Sequence, residues 1–565
     1  EKLPINIWLR LFSTFSASCR MLFAKLKNLD SGAAAKSQDI LSSLANNDPK
    51  IQNIDIYFDY GFNFEDDLEM EEELERLAVA IGKSTALKSV YVCHRNTSGS
   101  CVLGLLDQLS RNNRHLSHLH LNCRPGESNV IREEFIRLLR RFLEENEALV
   151  ELEVRHFQIY PSQVKYLFEA LACRSCPLDV LTLENCKMEE KCVTEIMKFL
   201  QDHPKMSPRN ISIEQNYIGD DGCFFISQLL RNINIDLKGI ELGKNPIGIL
   251  GFEHIANGLI SRQHPLDKLS IGSNNFEECD RGMMAFLRAM STNPDSIPKI
   301  LIFEGSYEIS SNVMRELGIL LTIRTSQIEL LQLYCYSIGD VQLTAFVNAI
   351  RESPDKIPKT LDLTGTNIGQ RGYFEIAELL RSPHCSLKKL EMLNPDDYPD
   401  DDSIIRIVES LEENDILECL LVETGSISAH GWESLASLLC DWRSIHATFT
   451  SNHTIFEFGS PTDMQPLNIR LFLTMNKNPD KKAVARMKVI GFHFARYFNI
   501  DSFLEMQLPL LTELLHCLNV SYADLDEFFQ QHDDLRHEND NNPKNNLLSV
   551  HYMIMKINLT VFDAS

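Results

Sequence analysis

One frame recurs along this chain and limits what it can fold into. LKGIELGKNPIGILGFEHIANGLIS, residues 237–261, carries Leu237, Ile240, Leu242 and Ile247 at offsets that suit neither a single helix nor a single strand. PRNISIEQNYIGDDGCFFISQLLRN from 208 and PKTLDLTGTNIGQRGYFEIAELLRS from 358 repeat it. The first position of the frame L-x-x-L-x-L falls at Ile51, Leu87, Leu116, Leu149, Leu178, Pro208, Leu237, Leu266, Pro298, Ile328, Pro358, Leu387, Leu417 and His453. These fourteen starts are separated by 29 to 36 residues, with the longest steps at the two ends. A chain of 565 residues also exceeds the roughly 300 at which single cores stop growing. The expected object is therefore a stack of small units that bury their apolar faces against one another.

Each unit reads as strand, turn, helix. In 237–242 the order Ile240, Glu241, Leu242 sends two apolar side chains one way and the carboxylate the other, the period-2 mark of a half-buried strand. Gly248 helps the chain turn, and Ile255 with Leu259, four residues apart, gives a helix its inner face.

With those columns in hand, the repeats resemble leucine-rich repeats of the ribonuclease-inhibitor type, whose units follow LxxLxLxxN/CxIGxxGxxxLxxxL. The resemblance covers residues 48–460 and implies an α/β solenoid with a parallel sheet on its concave side. It places the family's ladder position, where an Asn or Cys bonds the backbone of the turn, on Cys186, Asn216, Asn245 and Asn274, with Thr366 and Tyr336 in that column elsewhere. Residues 1–47 are expected to form an N-terminal helical cap or a residual targeting segment, since 3–29 is basic and lacks acids. Residues 461–565 resemble the helical extension that follows such repeats in uncharacterised algal and protist proteins.

Composition narrows the functional classes. The formal charge of −24 repels phosphate backbones and anionic membrane surfaces, so the expected partner is a protein, most simply a basic one, rather than nucleic acid. No run of 18 uncharged apolar residues occurs, so no membrane span is expected. Fifteen scattered cysteines suggest reduced thiols and an intracellular, cytoplasmic setting.

No catalytic motif accompanies the repeat. GKST at 82–85 is the closing half of a phosphate loop, but Leu77 stands where the first glycine belongs, and the local order is helix then strand. Cys173 and Cys176, with Cys186 and Cys192 beyond, have thiolate spacing that suits zinc, yet Cys186 already occupies the ladder column. The expectation is neither an enzyme nor a cofactor protein.

The functional residues are expected on the concave strand face. His118 and His120 share one face of their strand, and Glu151 and Glu153 occupy the same columns on the next, so His–Glu contacts rather than a metal site are expected. Glu151, Glu153, Glu184, Glu214 and Glu241 form an acidic stripe against the single Arg155, with Glu153, Glu214 and Glu241 expected to point into solvent. Ile300, Ile302, Leu330 and Tyr334 replace it with an apolar patch that needs a reason to face water. Together they suggest a protein-interaction scaffold, the charges steering encounter and the apolar groups anchoring the complex. Two alternatives come from the family resemblance: a GTPase-activating protein of the repeat type, and the repeat sensor of an immune-type receptor.

Overall fold

The computed structural model describes residues 5–11, 23–27, 37–58, 68–94, 100–123, 129–262, 264–272, 279–304, 309–323, 327–394, 399–460 and 465–489. The chain divides into two compact units, Glu1–Glu308 with Ile323–Ile328, and Ile309–Thr322 with Glu329–Ser565.

In the first unit the described strands are β1 Ile5–Leu11, β2 Phe23–Lys27, β3 Ile51–Phe58, β4 Ser89–His94, β5 His118–Cys123, β6 Glu151–Arg155, β7 Val180–Glu184, β8 Asn210–Ser212, β9 Gly239–Glu241, β10 Lys268–Ile271 and β11 Ile300–Glu304. From β3 to β11 they lie in chain order and pair in parallel, each followed by a helix. The frame residues face those helices. Ile240, Leu242, Ile247, Ile255 and Leu259 are all fully buried. Each such side chain contributes about 1.5–3 kcal/mol, which no isolated repeat realises without its neighbours.

Position nine of the frame binds the turns together. Asn216 Nδ2 donates to the carbonyls of Leu183, Ile213 and Glu214 at 2.9–3.0 Å, while its Oδ1 accepts from the amides of Cys186 and Met188. Asn245 repeats the pattern one unit on, accepting from the amides of Asn216 and Ile218 and donating to Ile213 and Leu242. The thiol of Cys186 donates to Val154 and Glu184 carbonyls, as a cysteine in that column should. Asn274 lies outside the described residues.

A second asparagine column stands three residues before the frame. Asn113 in the first unit and Asn414 and Asn452 in the second each accept from the amide of the frame's first residue, Leu116, Leu417 and Ile455. Each also donates to carbonyls of the preceding repeat.

The N-terminal segment departs from expectation. Instead of a helix over 3–29, β1 and β2 pair antiparallel, and β1 pairs in parallel with β3, Ile7 opposite Ile54. INIWLRL alternates Ile5, Ile7, Leu9 and Leu11 with other residues, a period-2 pattern that the basic character of the segment masked. The helix Ser37–Ala45 does form within residues 1–47.

The second unit carries β12 Leu330–Tyr334, β13 Thr360–Asp362, β14 Lys389–Met392, β15 Cys419–Val422 and β16 Glu457–Phe458, all parallel. Two frame assignments are corrected here. Tyr336 is exposed, and Cys335, one residue earlier, is the buried side chain of that turn. The last repeat starts at Ile455 rather than His453, because Asn452 sets its turn and Ile455 and Phe458 are the residues that bury. After it, the helices Leu467–Asn476 and Lys481–Val489 cover the final repeat. Asn476 Nδ2 donates to the Ile455 carbonyl at 2.6 Å. The fully buried Lys488 donates to the Leu439 and Asn452 carbonyls and to His453 Nδ1. Of residues 461–565 the structure describes 465–489, these two helices with their short connections, and residues 461–464 and 490–565 lie outside the described residues.

Candidate functional site

The face of the first unit's sheet turned away from its helices is set by strand register. His118, Glu151, Val180, Asn210, Gly239, Lys268 and Ile300 occupy one row, and His120, Glu153, Thr182, Ser212, Glu241, Ser270 and Ile302 the next. Six residues past each frame start lies a third row: Arg155, Glu184, Glu214, Gly243, Gly272 and Glu304.

At one end the expected His–Glu contacts form. His120 Nδ1 lies 3.3 Å from Glu153 Oε2, and its Nε2 lies 3.8 Å from Glu151 Oε1. His118 Nε2 is 3.9 Å from the other Glu151 oxygen. Burial opposes protonation of His120, but the Glu153 bond and both carboxylate charges outweigh it and raise the imidazole above its ordinary range. Burial likewise pushes Glu153 upward, and the His120 and Arg155 bonds overcome it, leaving the carboxyl below its usual value.

The carboxylates do not stand free in solvent as the stripe implied. Glu153 keeps only 13% of its side-chain surface exposed, and Arg155 Nε donates to its Oε1 at 2.6 Å while Nη1 reaches Glu184. Lys268 Nζ pairs with Glu241 at 2.8 Å, and Lys244 Nζ pairs with Glu304. The physical reason is spacing: strands about 4.8 Å apart bring neighbouring rows within reach of long cationic side chains. Lys244, Lys268 and Glu304 went unnoticed in the sequence, although counting six residues from Pro298 places Glu304 in the row of Glu184 and Glu214.

Glu214 is the exception among these acids. Its described side-chain bond is from Ser270 Oγ, at 2.5 Å. Burial is the main cause that lifts its pKa to about 7, reinforced by the charges of Glu304, Glu241 and Glu184. Two glycines make room for this crowding. A β-carbon on Gly243 would meet Glu214 Oε1 at 2.9 Å, and one on Gly272 would meet the Glu304 carbonyl oxygen at 1.8 Å. Glu304 and Lys244 thereby meet past the end of β10, where the Lys244 amide donates to the Glu304 carbonyl.

The apolar residues lie in both units. Ile300 and Ile302 are half-buried on β11 of the first. On the second, Leu330 is half-buried and Tyr334 is 42% exposed, its ring lying against Gly365, whose φ of +73° suits a residue without a side chain.

The remaining sequence candidates are accounted for locally. Gly82 and Lys83 end the helix Leu68–Lys83, and Ser84 Oγ accepts from the Leu87 amide. Cys173 and Cys176 are exposed free thiols flanking Arg174, which turns inward to donate to the Leu143 and Leu149 carbonyls. Cys186 and Cys192 are buried and bond to separate carbonyls, and burial pushes their thiols up to about 12 and about 11. No described helix is long and apolar enough to cross a membrane.

The parallel strand–turn–helix repeats with their asparagine ladder decide the fold. The chain folds as a leucine-rich repeat solenoid. No protein-family model matches the chain. Among curated relatives it is similar to the human NACHT, LRR and PYD domains-containing protein 3, with 25% identity over 324 residues, 54% of this chain and 30% of that protein. The mouse NACHT, LRR and PYD domains-containing protein 14 is 22% identical over 282 residues, 45% of this chain and 27% of the relative. The repeat protein thus spans less than a third of either relative. Among solved structures it is similar to an internalin of Listeria monocytogenes, with 14% identity, a TM-score of 0.29 and coverage of 63% of this chain and 80% of that one. A TLR13–ssRNA13 complex matches at 10% identity and a TM-score of 0.23, covering 68% of this chain and 69% of that one.

Proposed function

We propose that this chain is a protein-interaction module whose first unit receives a basic segment of a partner on the open face of its sheet, and that it performs no catalysis of its own. The observation that carries this reading is the charge imbalance of that face. Among the described residues of that face, Glu151, Glu153, Glu184, Glu214, Glu241 and Glu304 stand with three paired cations, Arg155, Lys244 and Lys268. A partner's lysine or arginine satisfies the excess and relieves the repulsion around Glu214. Ile300 and Ile302 lie at the margin of that face and supply apolar contact, while Leu330 and Tyr334 offer the second unit its own anchor. A net charge of −24 favours protein over nucleic acid as the ligand. The repeat period and the Asn/Cys ladder support the ribonuclease-inhibitor type of repeat.

Affinity purification followed by lysine cross-linking tests the site. Cross-links from Lys244 and Lys268 to the partner are expected. Cross-links confined to exposed lysines of the helices, such as Lys165 and Lys198, overturn the assignment.

A second reading, the repeat sensor of an immune-type receptor, draws on the similarity to NACHT, LRR and PYD proteins. It expects a nucleotide-binding module encoded in the same transcript. Full-length transcript sequencing that finds none removes it.

A further inference from the structure

We propose that His120, Glu151 and Glu153 bind one divalent transition-metal ion of the zinc class, with His118 as a fourth donor. This goes beyond the partner-binding reading and does not depend on it. One nitrogen of His120 and one oxygen of each carboxylate lie within 4.8 Å of one another, the single such grouping of three metal-capable residues among those described.

The distances favour an ion over direct hydrogen bonds. Two of the contacts, His120 Nε2 to Glu151 at 3.8 Å and His118 Nε2 to Glu151 at 3.9 Å, are longer than the roughly 2.7–3.2 Å of an N–H···O bond. Atoms bonded to zinc at about 2.0–2.2 Å with tetrahedral angles stand roughly 3.3–3.6 Å apart, so modest side-chain adjustment closes the set around an ion.

Tautomer logic points the same way. The Ser117 hydroxyl donates to the Lys88 carbonyl at 3.0 Å, so its oxygen is free to accept from His118 Nδ1 at 2.9 Å. In neutral His118 the proton then sits on Nδ1, and the Nε2 lone pair faces a carboxylate oxygen. His120 offers Nδ1 to the same ion, standing 3.3 Å from Glu153 Oε2, the separation of two atoms bound to one zinc. Two acceptors facing each other are reconciled by a shared cation. Outer groups already orient the ligands, as they do in metal sites generally. Ser117 fixes the His118 ring, and Arg155 holds Glu153 Oε1, leaving Oε2 as the ligand atom.

The test uses the full chain with Cys173→Ser and Cys176→Ser, so that the two exposed thiols among the described residues cannot supply the binding. After dialysis against chelator, calorimetric titration with Zn²⁺ is expected to find one site per chain. His120→Asn and, separately, Glu151→Gln should each weaken it by at least about tenfold, since even outer-shell changes cost that much. Co²⁺ should give a d–d spectrum of nitrogen and oxygen ligands without a thiolate charge-transfer band. Failure of the chain carrying Cys173→Ser and Cys176→Ser to bind Zn²⁺, or binding that both variants leave intact, overturns the proposal. Having two variants keeps the result interpretable if one of them unfolds.

Discussion

Glu214 shows how a single side chain on this face behaves unlike its neighbours. Its folded pKa of about 7 stands above the roughly 4.3 of an unfolded glutamate, with burial the main cause. A raised folded pKa means that the native state holds the proton more tightly. The stability from this group is present below about pH 4 and is lost as pH rises through 7. Glu214→Gln, which keeps an acceptor for Ser270, should therefore stabilise the protein by about 2–3 kcal/mol at pH 8 and by almost nothing at pH 4. Urea unfolding at the two pH values decides it, and an equal effect at both would sink the account. Glu153→Lys should do the opposite. It removes one of the two carboxylates that Arg155 holds and the hydrogen-bond partner of His120 Nδ1, and adds a like charge, so a loss of about 1–3 kcal/mol is expected in the same assay. Had the stripe stood in solvent, as the strand alternation suggested, that substitution would cost about 0.5 kcal/mol or less. Alternation fixes which face a side chain takes. It carries no information about which cation on the next strand reaches across, and so Lys244 and Lys268 escaped notice.

Among the elements, the ladder side chains join one turn to the next. Asn216, itself buried, makes five hydrogen bonds of 2.9–3.0 Å to backbone groups, four of them in buried residues. Asn216→Ala orphans those groups, and a loss of about 2–5 kcal/mol is expected by chemical denaturation. Hydrogen exchange should quicken first at the amides of Cys186 and Met188. The ladder was legible because burial dictates it: a polar side chain amid leucines at a fixed step has few other roles. Slips within turns were not legible. Moving the buried residue from Tyr336 to Cys335, or the frame start from His453 to Ile455, leaves the count of apolar residues unchanged and shows only when the chain closes. The N-terminal strands were missed for a different reason: the basic, acid-free character of residues 3–29 outweighed the alternation of Ile5, Ile7, Leu9 and Leu11.

For the molecule as a whole, the distribution of contacts matters more than any one of them. Repeats touch their neighbours in sequence, so a terminal repeat needs a cover on its outer side. The helices Leu467–Asn476 and Lys481–Val489 supply it at the last strand of the second unit, with Lys488 as the buried tie. Burial lowers the folded pKa of Lys488 to about 7 from roughly 10.4 unfolded, so its contribution rises with pH between those values. Lys488→Met should flatten the rise in melting temperature from pH 7 to 10; an unaltered profile would show that the amine is not buried. The interaction module proposed above supplies no group for phosphoryl transfer. Added to small GTPases it should leave hydrolysis rates unchanged, where an activator supplies about 10³–10⁵. The ladder has a consequence at the level of the gene. Asn216 and Asn245 hold equivalent bonds 29 residues apart, the spacing of the frame starts 208 and 237. Excision of residues 208–236 would bring Asn245 opposite Cys186 with its donors and acceptors in place, and duplication would do the reverse. Unequal crossing-over in steps of 29 codons can thus lengthen or shorten the recognition face while every hydrophobic contact is inherited ready-made.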